Sequence, residues 1–160
     1  MKSQSATQTP STSSKSTPVD GICKVTTNPT KCAKVLTPLL SGSSTDPASV
    51  LNLIIDTASK NVKIAASVTD RAKNAPSIPE EMSEPLRICS ESYAGVIANL
   101  VKSQDVKAVN GALSGSIASI NACDKSFADH PHNRSPVKEI DATIVELLGY
   151  GVDISKSLIK

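Results

Sequence analysis

The stretch Ile22–Cys32, ICKVTTNPTKC, holds two cysteines nine positions apart, with an Asn28-Pro29 corner between them. Proline suits the first turn of a helix, because the amide hydrogen that it lacks would be unpaired there. The stretch therefore predicts a small helical hairpin, with a turn or two of helix at Ile22–Thr26 and a second helix over Pro29–Leu40. Such a hairpin buries too little surface to hold its shape, so we expect a Cys23–Cys32 disulfide to close it.

The composition restricts how the remaining chain packs. The 160 residues suit one domain, and they include no Trp, one Phe and two Tyr. The core must therefore consist of Ala, Val, Leu and Ile, which favours helices packed on helices. A net charge of +2 is too balanced to indicate a nucleic-acid or acidic-membrane partner. No apolar run reaches the ~18 residues that a membrane span needs, so we expect no membrane partner.

The N-terminus differs in composition from the rest. Residues 1–19 are dominated by Ser and Thr, which predicts a disordered leader, and residues 20–160 form the predicted domain. The leader lacks the apolar segment of a signal peptide, so we expect the signal peptide to be absent from this chain.

Four longer segments carry helical periodicity. They are Pro47–Lys73 after the N-cap Asp46, about Glu80 to Lys102, a segment that begins after Asp105, and one that opens at Ser135-Pro136. Pro85 fits the second segment only if it falls in the first turn. The apolar seam of the first segment comprises Leu51, Ile54, Ala58, Val62, Ala65, Val68 and Ala72. Short connections favour an all-α, up-down-up-down four-helix bundle over a topology with two long crossovers.

The remaining cysteines, Cys89 and Cys123, fall on the seams of the second and third long helices. They lie about 15 residues before and about 18 residues after the turn near Gln104, hence ~22 and ~27 Å from it. A Cys89–Cys123 bridge is therefore reasonable, and pairings that tie the hairpin to the bundle are the alternative. The two histidines, His130 and His132, share one predicted loop. We therefore expect no metal, no cofactor and no catalytic site.

Four motifs, in this order, resemble those of the plant invertase and pectin methylesterase inhibitor family. They are Cys23-x-x-Thr26-x-x-Pro29-x-x-Cys32 followed by Leu36, Cys89-Ser90-Glu91-Ser92-Tyr93-Ala94, Ala122-Cys123-Asp124-x-x-Phe127, and Ser135-Pro136. The resemblance covers roughly residues 20 to 159. It implies a secreted four-helix bundle of the plant cell wall, or apoplast, with an N-terminal hairpin and two disulfides.

The resemblance also implies that the protein is not an enzyme but an inhibitor, monomeric when free, that occludes the active-site cleft of a carbohydrate-active enzyme. Glu91 and Tyr93 favour plant pectin methylesterase as the partner, although Gly95 stands where these inhibitors often carry Asp. An acid invertase (beta-fructofuranosidase) is the alternative, although the Pro-Lys-Phe pattern of invertase inhibitors survives only as Lys107. A non-inhibitory helical module that carries an apolar ligand is a further alternative.

The residues predicted to face the enzyme lie opposite the apolar seams. They are Glu91, Gly95, Ala98 and Lys102 on the second long helix, and Lys107, Gly111, Gly115, Ala118 and Ala122 on the third or at its start. The alternative for the first group is an ordinary solvated face. For the small residues of the third helix, the alternative is packing against a neighbouring helix. Asn133-Arg134-Ser135 fits an N-glycosylation sequon, although the following Pro136 disfavours its use.

Overall fold

A computed structural model describes residues 18–42, 44–130 and 134–160. The predicted leader lies outside the described residues except for Pro18 and Val19, which already belong to the first helix. His132 and the sequon residue Asn133 also lie outside the described residues.

Six α-helices and one 3₁₀ turn make up the described part of the chain. The helices are α1 (Pro18–Cys23), α2 (Pro29–Leu39), α3 (Pro47–Lys73), α4 (Ser83–Asn99), α5 (Val106–Ala128) and α6 (Lys138–Leu158), and the 3₁₀ turn is Glu80–Met82. Helices α1 and α2 form the N-terminal hairpin. In the bundle, α3 packs against α4, α4 against α5 and α5 against α6. Helix α3 also packs against α6, and this contact closes the predicted up-down-up-down bundle.

Side-chain caps account for three of the helix starts. Asn28 accepts a hydrogen bond from Lys31 N at 3.1 Å, and Asp46 accepts one from Ser49 N at 3.1 Å. Asp105 accepts from Lys107 N at 3.0 Å. Each cap pairs an amide that the first helical turn leaves without a partner. The predicted starts of α2, α3 and α5 are therefore confirmed.

Several helix boundaries differ from the prediction. Helix α1 spans Pro18–Cys23 and not Ile22–Thr26. It ends at Cys23 because the amide and hydroxyl of Thr26 both bond back to the Cys23 carbonyl in a turn, at 2.9 and 2.6 Å. Helix α4 begins at Ser83, after the 3₁₀ turn, so Pro85 falls in its first turn as required. Helix α6 begins at Lys138, because the Ser135 hydroxyl accepts the Val137 amide at 3.2 Å in a turn that precedes it.

The core is mainly aliphatic, as predicted, but it also buries polar side chains, among them Thr69 on α3. Val68 and Ala72 are only half-buried, whereas Thr69 between them is fully buried. Its hydroxyl donates to the Ala65 carbonyl at 2.9 Å, which allows a polar side chain to occupy the seam. Gly151 shows how closely α6 approaches its neighbours, since a Cβ there would lie 2.9 Å from Leu113 Cδ1. An apolar ligand cavity at this level of the bundle is incompatible with that contact.

Both predicted disulfides are confirmed. Cys23–Cys32 joins α1 to α2, with 5.7 Å between the Cα atoms, and Cys89–Cys123 joins α4 to α5, with 4.5 Å. All four half-cystines are fully buried. The alternative pairings between hairpin and bundle are therefore wrong.

Polar contacts also link the hairpin, whose Leu36 is buried in the core, to α6. Lys31 Nζ lies 3.2 Å from Glu146 Oε2, and the Tyr150 hydroxyl donates to the same oxygen at 2.6 Å. The Thr27 amide donates to Asp153 Oδ2 at 3.2 Å. The hydrogen bond from Tyr150, and then the one from Lys31, lower the pKa of the Glu146 carboxyl.

Candidate functional site

The residues predicted to face an enzyme are all exposed. We define the outer face of α4 as Glu91, Gly95 and Ala98, and the outer face of α5 as Lys107, Gly111, Gly115, Ala118 and Ala122. Their seam partners Tyr93, Leu113 and Ile120 are fully buried. The predicted assignment of inside and outside on these two helices is therefore confirmed, whereas their role in binding stays a prediction.

The Cys89–Cys123 disulfide places the two outer faces at matching heights. Gly95 lies six residues from its half-cystine and Gly115 lies eight from its own, which is about 9 and about 12 Å along antiparallel axes. The two glycines thus lie near the same level on adjacent helices. A partner that spans α4 and α5 would contact both.

No neighbouring helix of the described structure covers the small residues of α5. A Cβ built on Gly111 or Gly115 meets no atom within 4 Å, and the same holds for Gly95 on α4. The alternative that this strip packs against another helix of the bundle is wrong. The strip is a smooth surface on which a partner's backbone could approach closely.

The carboxylate of Glu91 belongs to an ion-pair network that the sequence analysis missed. Arg87 donates from Nη1 to Glu91 and from Nε to Glu84 Oε2, the latter at 3.0 Å. The pKa of the Arg87 guanidinium is raised by Glu84 and then by Glu91. The sequence signal for this network is the spacing of its residues, which lie three and four positions apart on one helix. The network pairs Glu91 with Arg87 on the exposed face.

Lys102 is not part of the outer face of α4, contrary to the prediction. Helix α4 ends at Asn99, because Leu100 turns away from helical geometry after its amide bonds to the Val96 carbonyl. Lys102 therefore lies in the following loop, where its Nζ is 3.1 Å from Asp56 Oδ2 of α3.

Tyr93 is fully buried, and its hydroxyl lies in the interior of the bundle. The hydroxyl donates to Asp141 Oδ1 of α6 at 2.6 Å and lies 3.5 Å from Cys123 Sγ. Burial, together with the bond to Asp141, raises the pKa of this phenol far above its usual range. Asp141 itself is fully buried at the start of α6. The sequence gives no sign of this burial, because an acidic residue near the start of a helix is typical of an exposed carboxylate that interacts with the helix dipole.

Catalytic or metal chemistry finds no support in the residues that the structure describes. The one cluster of potential metal-binding atoms there is Cys123, Asp124 and Asp141, and the Cys123 sulfur is already bonded to Cys89. His130 lies in a surface groove that is also lined by Arg134, Ser135 and Lys138. Across the same described residues, no helix is both long and apolar enough to span a membrane.

The structure thus defines a disulfide-linked four-helix bundle with a docked hairpin, whose candidate site is an outward surface and not a pocket. The family model for plant invertase/pectin methylesterase inhibitors matches residues 17–150, and the chain belongs to this family. It is an inhibitor-family domain and not an enzyme. The family acts on pectin methylesterase or invertase, and its members are generally apoplastic.

Two solved structures share the fold. One is a mutant form of a pectin methylesterase inhibitor from Arabidopsis, with a TM-score of 0.76, 20% identity, and coverage of 88% of this chain and 97% of that chain. The other is a pectin methylesterase inhibitor from Arabidopsis thaliana, with a TM-score of 0.67, 20% identity, and coverage of 89% and 96%. A comparison with curated protein sequences finds no match.

Proposed function

We propose that this protein inhibits a plant pectin methylesterase by laying the outer faces of α4 and α5 across the active-site cleft of the enzyme. The observation that carries the proposal is the exposed strip of small residues on α5, beside the exposed, ion-paired Glu91 carboxylate of α4. We further propose that the protein acts as a secreted monomer in the cell wall. An acid invertase is the second candidate target, because Lys107 is exposed at the start of the same strip.

A rigid surface favours this mode of inhibition. Association costs free energy when loops and side chains must be ordered, so a preformed helical face loses less on binding. Glycine and alanine have no side-chain rotamers to immobilise. The Cys89–Cys123 bridge holds α4 and α5 together at the end of the bundle where Ala122 and Glu91 lie. Reduction of the disulfides should therefore abolish inhibition.

The first experiment is a paired inhibition assay with the oxidised protein at mildly acid pH. The protein is titrated against a plant pectin methylesterase and, separately, against a plant cell-wall invertase. Inhibition of the methylesterase alone supports the proposal, and inhibition of the invertase alone supports the second candidate. Inhibition of neither enzyme by a folded, fully disulfide-bonded sample contradicts both.

A matched pair of variants then tests the surface. Gly115→Gln adds a bulky neutral side chain to the strip, where nothing in the free protein obstructs it. Ser67→Gln adds a similar side chain to the exposed face of α3, the helix diagonal to α5 in the bundle. We expect Gly115→Gln to weaken inhibition at least tenfold while Ser67→Gln has no effect. Equal potency of the two variants would place the contact surface elsewhere.

A further inference from the structure

The interior of the bundle contains one polar layer, to which every bundle helix contributes. Thr69 comes from α3, Tyr93 from α4, Asp124 from α5 and Asp141 from α6. The Cys123 sulfur borders the same layer, since its Sγ lies 3.4 Å from Asp141 Oδ2. The layer is unusual because two of its members are carboxyl groups, and the layer contains no lysine, arginine or histidine.

The layer has one hydrogen-bond donor too few for its carboxylate oxygens. Tyr93 donates its only hydroxyl hydrogen to Asp141 Oδ1. The Cys123 sulfur cannot donate to the other oxygen, because it is part of a disulfide. The Asp124 carboxyl lies within 4.8 Å of the Asp141 carboxyl, and its buried Oδ1 finds no donor among the described residues. Two ionised carboxylates would repel each other here, whereas a single proton would both remove the repulsion and bridge them.

We propose that Asp124 and Asp141 share one proton in the folded bundle, and that this proton makes the protein more stable at acid than at alkaline pH. Burial is the main cause that favours the neutral form of Asp141, and the contact with Asp124 adds to it. The hydrogen bond from Tyr93 favours the charged form but is outweighed, so the pKa of Asp141 rises to about 8. The proposal concerns folding alone and does not depend on which enzyme the protein inhibits.

The charged groups nearest the layer line a groove at the surface of the bundle. From α4 the facing titratable group is Tyr93, which is neutral, and from α3 the facing group is Thr69, which does not titrate. The groove above Asp124 is lined by His130 and by residues that precede or begin α6, namely Arg134, Lys138 and Glu139. Arg134, Lys138 and the N-terminal dipole of α6 favour an ionised acid, whereas Glu139 disfavours it. They lie at the surface, where solvent screens them, whereas Asp141 is fully buried.

The sign of the pH dependence follows from the bound protons. In the unfolded chain Asp141 has the ordinary pKa of an aspartate, ~3.9. Between about pH 4 and about pH 8 the folded state therefore binds one proton more than the unfolded state. Stability then falls as pH rises, and the folding equilibrium constant decreases by up to about tenfold per pH unit until Asp141 ionises.

The test is urea unfolding of the disulfide-intact protein at a series of pH values from 5 to 8, without any enzyme. For the wild type, the folding equilibrium constant should fall by close to a factor of ten for each pH unit. Asp141→Asn should flatten this slope, because the amide can accept from Tyr93 and donate to Asp124 without a titrating proton. Glu139→Gln, which removes an exposed acid from the same helix turn, should keep the wild-type slope. Equal slopes in the wild type and Asp141→Asn would overturn the proposal.

A second measurement needs no variant to fold. Side-chain ¹³C NMR of the wild type, labelled at aspartate, should show one carboxyl that titrates several pH units above the others. Titration of every aspartate carboxyl below pH 5 would overturn the proposal. Because neither readout involves inhibition, failure here leaves the proposed function intact, and failure of the inhibition assay leaves this proposal intact.

Discussion

Replacing Gly151 with alanine tests how closely α6 packs against its neighbours. A Cβ at this position would lie 2.9 Å from Leu113 Cδ1 and 3.3 Å from Ile54 Cγ2. Both distances are shorter than the ~3.5–4.0 Å at which carbon atoms attract. Leu113 and Ile54 are themselves fully buried, so their side chains would have to shift within a packed interior.

The expected magnitude combines two opposing effects. Alanine relieves the glycine penalty in a helix, which stabilises by about 1 kcal/mol. Overpacking a filled core costs about 1–3 kcal/mol. Gly151→Ala should therefore be destabilising by up to about 2 kcal/mol. Gly149→Ala, two residues earlier on the same helix, meets no atom within 4 Å and should stabilise by up to about 1 kcal/mol.

The assay is equilibrium urea unfolding of both variants beside the wild type, followed by circular dichroism. The free energies of unfolding should differ by about 1–3 kcal/mol between the two variants, with opposite signs relative to the wild type. Equal stabilisation of both variants would show that α6 does not approach α3 and α5 as closely as the structure indicates.

Three further predictions concern the disulfides, the binding face and the hairpin. Replacing both Cys89 and Cys123 with alanine, which opens a loop with a sequence separation of 34, should cost about 4 kcal/mol by the loop-entropy relation and be visible as a lower urea midpoint. Glu91→Gln should weaken methylesterase inhibition more than Glu84→Gln does, although each variant removes one carboxylate partner of Arg87. An equal loss of inhibition in the two variants would mean that the ion pairs matter and that Glu91 makes no contact of its own with the enzyme. Glu146 has a lowered pKa in the folded state, so its contribution is present above its ordinary pKa of 4.5 and is lost as pH falls through the folded value. Glu146→Gln should therefore reduce the loss of stability between pH 5 and pH 3, and an unchanged acid loss would contradict that assignment.

Local signals in the chain were sufficient for much of the fold. Pro47 and its cap Asp46 gave the start of α3, and the spacing of Cys89 and Cys123 from one turn gave the second disulfide. These features depend on contacts within a few residues or on the regular rise of a helix, so sequence separation translates directly into geometry. The outward faces followed from the same periodicity.

The sequence by itself determined the helices, their seams, the hairpin and the faces that point to solvent, because helical periodicity and capping are local properties. Only the tertiary structure decided that Lys102 pairs with Asp56, that the strip on α5 remains uncovered, and that Asp124 and Asp141 meet in the interior. These outcomes depend on how the helices rotate and approach one another. That arrangement is set by the packing of side chains from all four helices at once, which no local pattern contains.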